Sequence, residues 1–317
     1  MTRTRAREAA ATNRQGDAKA RTRRSTREAA RERLLTGMPV TERRLELAGA
    51  STAVLEGGDG PPVVLLHGAG EFAACWHRVI PDLVRARRVV VPDLPGHGAS
   101  SVAGDPPDAE RVAAWLGELI ERTCPSPPAL VGHGLGGAIA ARFAVDRGDR
   151  VGRLVLVDSY GLGRLRPAPG FALAMLGVIV RPTEGTQERL LRQCMVDLDG
   201  LRQQLGEREA LLEAYALDRA RSPGQKAALR RLMPQLGLPA IPPSELARIA
   251  VPTTLIWGRH DRQVRLGVAQ AASARHGWPL HVIEDAGDDP AAEQPEAFLR
   301  GLHAALGPAA ASSRRQP

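Results

Sequence analysis

The chain predicts an α/β fold with a largely parallel sheet. Three observations carry that expectation: short apolar stretches alternate with helical stretches along most of its 317 residues, several end in Gly turns, and one long helical block interrupts the rhythm. PPVVLLHG (61–68) is an unbroken apolar run ending in glycine, typical of a strand buried on both faces.

The elements follow in order. RRLELAG (43–49) and STAVLEGG (51–58) read as a hairpin. After the 61–68 strand comes a helical stretch near 74–86, then RRVVVPDLPGHGAS (87–100), a strand leaving into a Pro/Gly loop. Residues 108–123 space apolar side chains as a helix behind an Asp108 cap. PALVG (128–132) is a strand with its helix over 136–148, and RLVLVD (153–158) is another strand. Residues 159–249 are helical, rich in leucine and arginine, and read as a cap inserted between two strands. The alternation resumes with TTLIWG (253–258), a helix near 264–276, PLHVIED (279–285) and a helix over 292–306. The expected organisation is a basic tail (1–38), disordered or partly helical, a core built from 39–158 and 250–308, the cap at 159–249, and a flexible end at 309–317.

Composition excludes several classes. Hydrophobic residues make up 43% of the chain, and no apolar run reaches the length of a membrane-crossing helix. The three cysteines, Cys75, Cys124 and Cys194, are scattered and imply neither a disulfide framework nor a zinc site, so a cytoplasmic setting is expected. The net charge is +8, but residues 1–33 hold eleven Lys/Arg and four Asp/Glu, leaving 32 against 31 elsewhere. The basic character belongs to the tail, no aromatics interleave with it, and nucleic acid is not the expected partner. No cofactor or metal is implied, and oligomeric state is open.

The chemistry concentrates in five stretches. HGAG (67–70), DLPGHGAS (93–100), VGHGLGG (131–137), WGRHD (257–261) and DAGDDPAAEQPEAF (285–298) each follow a strand or precede a helix. Together, over residues 40–306, they resemble the capped α/β-hydrolase family. That resemblance implies an α/β-hydrolase fold and a nucleophile, acid and histidine in that chain order.

Carried over position by position, the resemblance retains one side chain of three. Asp261 stands at the acid position. Gly134 stands where the nucleophile belongs, in a turn whose strained backbone suits glycine. Asp288 stands where the histidine belongs. The family's oxyanion donors would be the backbone N–H groups of Ala69 and Leu135. Cys75 and Ser159 are the weak substitute nucleophiles, while His67, His97, His133 and His260 read as structural.

If Asp261 and Asp288 face each other, one carboxyl holds a proton, unless Arg259 or Arg262 neutralises the pair. Three functions therefore compete. The first is binding of an apolar, carbonyl-bearing small molecule without serine-hydrolase chemistry. The second is a non-covalent lyase, isomerase, cyclase or decarboxylase using Asp288 and Asp261. The third is a hydrolase with a displaced nucleophile or a carboxylate-activated water. FALAMLGVIV (171–180) is apolar almost all round and is expected as a buried cap helix.

Overall fold

A computed structural model describes residues 28–308. Nine strands form one sheet: β1 (Thr41–Leu47), β2 (Ala50–Gly57), β3 (Pro62–Leu66), β4 (Arg88–Pro92), β5 (Ser101–Val102), β6 (Ala129–His133), β7 (Arg153–Val157), β8 (Thr253–Gly258) and β9 (Leu280–Ile283). The spatial order is β1-β2-β4-β3-β6-β7-β8-β9, with β5 paired to β2. β1 to β2 and β2 to β4 are antiparallel, and every pairing from β4 through to β9 is parallel.

The central strands are buried along their whole length because helices cover both faces. One core lies under α1 (Ala109–Thr123) and α2 (Gly134–Asp146), centred on Leu66, Leu130 and Leu156. The other lies between the opposite face and the final helix, with Val131, Ile256 and Phe298 at its heart. Asp108 caps α1 as expected, its Oδ1 accepting the Arg111 N–H at 3.0 Å. The 74–86 stretch is shorter than its spacing suggests. Pro81 follows a 3-10 turn at Ala73–Arg78, and only Ile80–Leu83 continues as α-helix.

The β6 to α2 junction is packed backbone on backbone. A Cβ on Gly136 would lie 2.4 Å from the Leu66 carbonyl oxygen, and one on Gly132 would lie 2.5 Å from that of Gly136. Neither position accepts a side chain, and this contact sets how closely the turn between them approaches β3.

Between β7 and β8 runs a helical insertion. Its longer helices are α3 (Pro169–Val180), α4 (Glu184–Cys194), α5 (Leu198–Leu205), α6 (Glu207–Arg221) and α7 (Pro223–Leu232). The expectation of a buried helix at 171–180 is corrected. In α3 only Phe171 is buried, while Leu173, Leu176, Ile179 and Val180 are exposed. Gly177 packs against Thr186 of α4, so the short face of α3 meets its neighbour and its large side chains point outward.

The tail expected at 1–38 lies outside the described residues up to residue 27. Residues 28–35 are helical. Arg31 anchors that helix, pairing with Glu42 at 2.8 Å and with the fully buried Asp93 at 2.9 Å.

Candidate functional site

The C-terminal ends of the parallel strands carry every group of interest. β6 ends in His133, and the chain turns into α2 at Gly134 with φ +49°. That is the left-handed region, which glycine enters without the cost borne by a residue with a Cβ. A Cβ at Gly134 would sit 3.6 Å from the Gly68 Cα and 3.8 Å from the Tyr160 ring, ordinary contact distances. The turn therefore has room for a Cβ, with Gly68 and Tyr160 as its nearest neighbours. Tyr160 is buried and held from below by its N–H to the Gly134 carbonyl at 3.1 Å.

His133 is fixed by two acceptors. Its Nε2 lies 2.6 Å from the Asp288 carbonyl oxygen and its Nδ1 3.1 Å from the Glu71 carboxylate. The Asp288 carbonyl can only accept and an ionised Glu71 does the same, so beside that carboxylate both ring nitrogens carry protons and the ring is an imidazolium. Although burial opposes the charge, Glu71 holds the His133 pKa well above its usual value. The Glu71 carboxyl is correspondingly held low by His133 against its own burial. Glu71 also accepts the Gly68 N–H at 2.7 Å. A carboxylate thus lies folded into the loop that follows β3, beside Ala69.

Three further carboxyls crowd the ends of β7, β8 and the 285–289 loop. Asp158 follows β7 with φ +40°, a conformation aspartate tolerates better than most side chains. Its Oδ1 accepts the Gly258 N–H at 3.0 Å. Asp261 Oδ1 accepts the N–H groups of Gln263 at 2.7 Å and Val264 at 2.9 Å. Asp158 Oδ2 and Asp261 Oδ2 are buried with no N–H or O–H donor among the described residues. The two buried carboxyls crowd one another, and their repulsion favours a proton on one of them. Burial first, then Asp288, raises the Asp261 pKa to about 7. Burial and Asp261 push Asp158 well above the carboxylate range.

Burial raises Asp288 to about 6, with His133 opposing. Its backbone is held by the insertion: Asp288 N–H donates to the Cys194 carbonyl at the end of α4, at 3.1 Å. Glu293 clamps the same loop, accepting the Gly287 and Val196 N–H groups, each at 2.6 Å. Among the described residues no group of three or more His, Cys, Asp and Glu is placed to hold a metal ion.

A protein-family model described as the alpha/beta hydrolase family matches residues 63–300. The chain belongs to the alpha/beta hydrolase family. A pimeloyl-[acyl-carrier protein] methyl ester esterase from Aeromonas hydrophila subsp. hydrophila is 30% identical over 265 residues, 78% of this chain and 96% of that protein. A magnesium-chelatase 30 kDa subunit from Rhodobacter capsulatus is 32% identical over 225 residues, covering 68% and 76% of the two chains. The crystal structure of carboxylesterase CesB (YbfK) from Bacillus subtilis superposes with a TM-score of 0.76 at 20% identity, covering 89% of this chain and 97% of that one.

Within this alpha/beta hydrolase, Gly134, Asp261 and Asp288 lie at neighbouring strand ends, as the chain order suggests. Asp288 acts on Asp261 through charge, and Asp158 joins them as a third buried carboxyl. Neither arginine neutralises the group. Arg259 pairs with the exposed Glu284, and Arg262 donates to the Arg192 carbonyl. The cation facing Asp158 and Asp288 is His133.

The substitute nucleophiles are spent. Ser159 Oγ donates to the Tyr160 carbonyl at 2.8 Å. Cys75 is half-buried near Glu71, and desolvation with that charge pushes its thiol well up, the reverse of activation. His67 is locked between the Gly68 carbonyl and the Leu94 N–H, and burial lowers the pKa of His97 to about 3. His260 donates its backbone N–H to Ala286 and stands on an exposed turn. The Leu135 N–H is in the first turn of α2, where no intrahelical acceptor exists.

Sequence reasoning missed Asp158, Tyr160 and Glu71. Asp158 had a signal, being an acidic residue at the end of a buried strand adjacent to β8. Tyr160 and Glu71 lie in loops whose paths only the fold determines.

Proposed function

We propose that this chain is a non-hydrolytic alpha/beta hydrolase that binds an apolar, carbonyl-bearing small molecule beneath its helical cap. The observation that carries the reading is the apex of the β6 turn, where Gly134 presents no side chain and Tyr160 and Gly68 are its nearest neighbours. Two others support it. The base position holds Asp288, a buried carboxyl, and the imidazole at the turn is committed to Glu71 and the Asp288 carbonyl. Glu71 also occupies the Gly68 N–H, next to Ala69 in the loop that would supply one oxyanion donor. The family relatives carry esterase names, which makes an ester or ketone the natural ligand class, and pockets for such molecules are mostly apolar.

A second reading rests on the carboxyl cluster. Asp261 at about 7 and Asp288 at about 6 have the pKa range of groups that accept and return protons near neutrality. They support a non-covalent proton-transfer reaction on the same ligand.

The test is direct. Methyl octanoate and 2-decanone are titrated into the protein by calorimetry, with methanol release and fluorophosphonate labelling followed in parallel. Binding without methanol release or label, unchanged in Asp288→Asn, is the expected result. Conversion of the ketone that Asp288→Asn abolishes selects the second reading. Covalent fluorophosphonate labelling overturns both.

A further inference from the structure

Among the described residues, the large apolar side chains that the fold leaves uncovered concentrate on α3. Leu173, Leu176, Ile179 and Val180 are 72%, 54%, 63% and 73% exposed. At 100° per residue they fall in a single stripe about a third of the helix circumference wide. Turned inward instead are the buried Phe171 and the half-buried Gly177 that faces Thr186 of α4. A helix that turns four of its large apolar side chains outward does not serve the core alone. Exposed apolar stripes on soluble folds mark interaction surfaces.

Charge identifies the partner. From residue 159 to residue 183 the chain contains no Asp or Glu, and Arg164, Arg166 and Arg181 bracket α3 at both ends. All three are exposed and make no side-chain ion pair among the described residues. The helical segment 28–35, into which the basic N-terminal stretch leads, is fastened to the same insertion. Leu34 packs with Tyr215 of α6 in one buried cluster, and Arg208 donates to the Thr36 carbonyl. The residues 1–33 hold eleven Lys/Arg against four Asp/Glu. A second copy is the poorer occupant, because antiparallel pairing of α3 about a two-fold axis brings Arg181 against Arg164 and Arg166.

We propose that α3 is an interfacial helix that seats the helical insertion on an anionic lipid surface. The Leu173, Leu176, Ile179 and Val180 side chains enter the acyl boundary, and Arg164, Arg166 and Arg181 contact the headgroups. An apolar stripe and a basic cluster are the two signals that stable peripheral attachment needs. No helix among the described residues is long and apolar enough to cross a membrane, so the attachment is lateral. The assignment is independent of what the strand-end site does.

Co-sedimentation of the full-length protein with phosphatidylcholine vesicles, with and without phosphatidylglycerol, tests this. Binding is expected to need phosphatidylglycerol and to weaken with salt. Arg164→Gln, Arg166→Gln and Arg181→Gln together should weaken it roughly a hundredfold, at about fivefold per arginine. Leu176→Asp with Ile179→Asp should weaken it on the order of tenfold or more while leaving the thermal unfolding midpoint in place, since both side chains are exposed. A separate Leu176→Trp variant should show a blue-shifted emission on anionic vesicles. Absence of binding overturns the proposal. So does binding that survives the aspartate pair, which assigns it to the tail alone. A concentration-dependent dimer that the aspartate pair dissociates overturns it in favour of a second copy.

Discussion

Replacing Asp261 by asparagine removes a proton-binding carboxyl while keeping the shape of its contacts. The amide oxygen still accepts the Gln263 and Val264 N–H groups, and the uncharged amide no longer repels Asp158 and Asp288. In the native state the Asp261 pKa is raised from 3.8 to about 7 by burial and by Asp288. Folding therefore holds a proton that the unfolded chain releases above about pH 4. A group with a raised folded pKa stabilises fully below its unfolded value, and that stability is lost as pH rises through the folded value. Holding one proton across one pH unit is worth about 1.4 kcal/mol, so the loss across the window from pH 3.8 to about 7 is roughly 4 kcal/mol, carried jointly with Asp158.

The bare stability curve of the protein mixes signs. Asp289 and Glu293, raised to about 6 and 8, act in the same direction as Asp261. His77 and His97, lowered by burial to about 4 and 3, act the other way and cost stability as pH falls below the ordinary histidine range. The difference between the wild type and Asp261→Asn cancels these common contributions. Urea unfolding at a series of pH values should show the variant gaining on the wild type by about 2 kcal/mol between pH 5 and pH 7. Well above pH 7 the difference should level off. A difference constant across that window would refute the raised pKa and leave Asp261 as an ionised loop cap.

Three other outcomes are expected. Gly134→Ser should fold, because a Cβ there meets only ordinary contacts, but should lose about 1–2 kcal/mol to the φ of +49°. It should hydrolyse p-nitrophenyl butyrate no faster than the wild type, whereas Gly134→Ser with Asp288→His recovers a measurable rate; activity in the single variant would reveal another base. Gly136→Ala should fail to fold or lose more than about 3 kcal/mol, since its Cβ meets the Leu66 carbonyl at 2.4 Å, and a near-wild-type urea midpoint would show that β6 and α2 can separate. Arg31→Ala strips the ion pair from the buried Asp93 and should cost about 3 kcal/mol in urea unfolding; a loss below about 1 kcal/mol would mean that the Ala73 and Ala99 N–H groups suffice for Asp93.

Much of the fold was legible because it is written in local signals. An apolar run such as 62–66 buries both faces only inside a parallel sheet, and Gly132, Gly136 and Gly137 announce a strand and helix in close approach. Helix ends were less legible: Pro81 cuts the 74–86 stretch in a way that apolar spacing does not register. The orientation of α3 was illegible for a different reason. A helix apolar all round favours no side, so its sequence does not say which face turns to its neighbour, and the Gly177 contact with Thr186 decides it.

The site follows the same division. Gly134, Asp261 and Asp288 could be placed because each sits at a fixed offset from a strand end. What these residues do depends on neighbours brought from distant loops. Asp158 sets a second buried carboxyl against Asp261, and Glu71 turns a packing histidine into an imidazolium. The two effects are linked through charge. The His133 cation that Glu71 sustains lowers Asp158 and Asp288, while the Glu71 charge itself raises Asp288, so neutralising Glu71 acts on Asp288 in both directions and on Asp158 chiefly through loss of the His133 cation. Glu71, which no motif singles out, thereby bears on the protonation of Asp158 and Asp288.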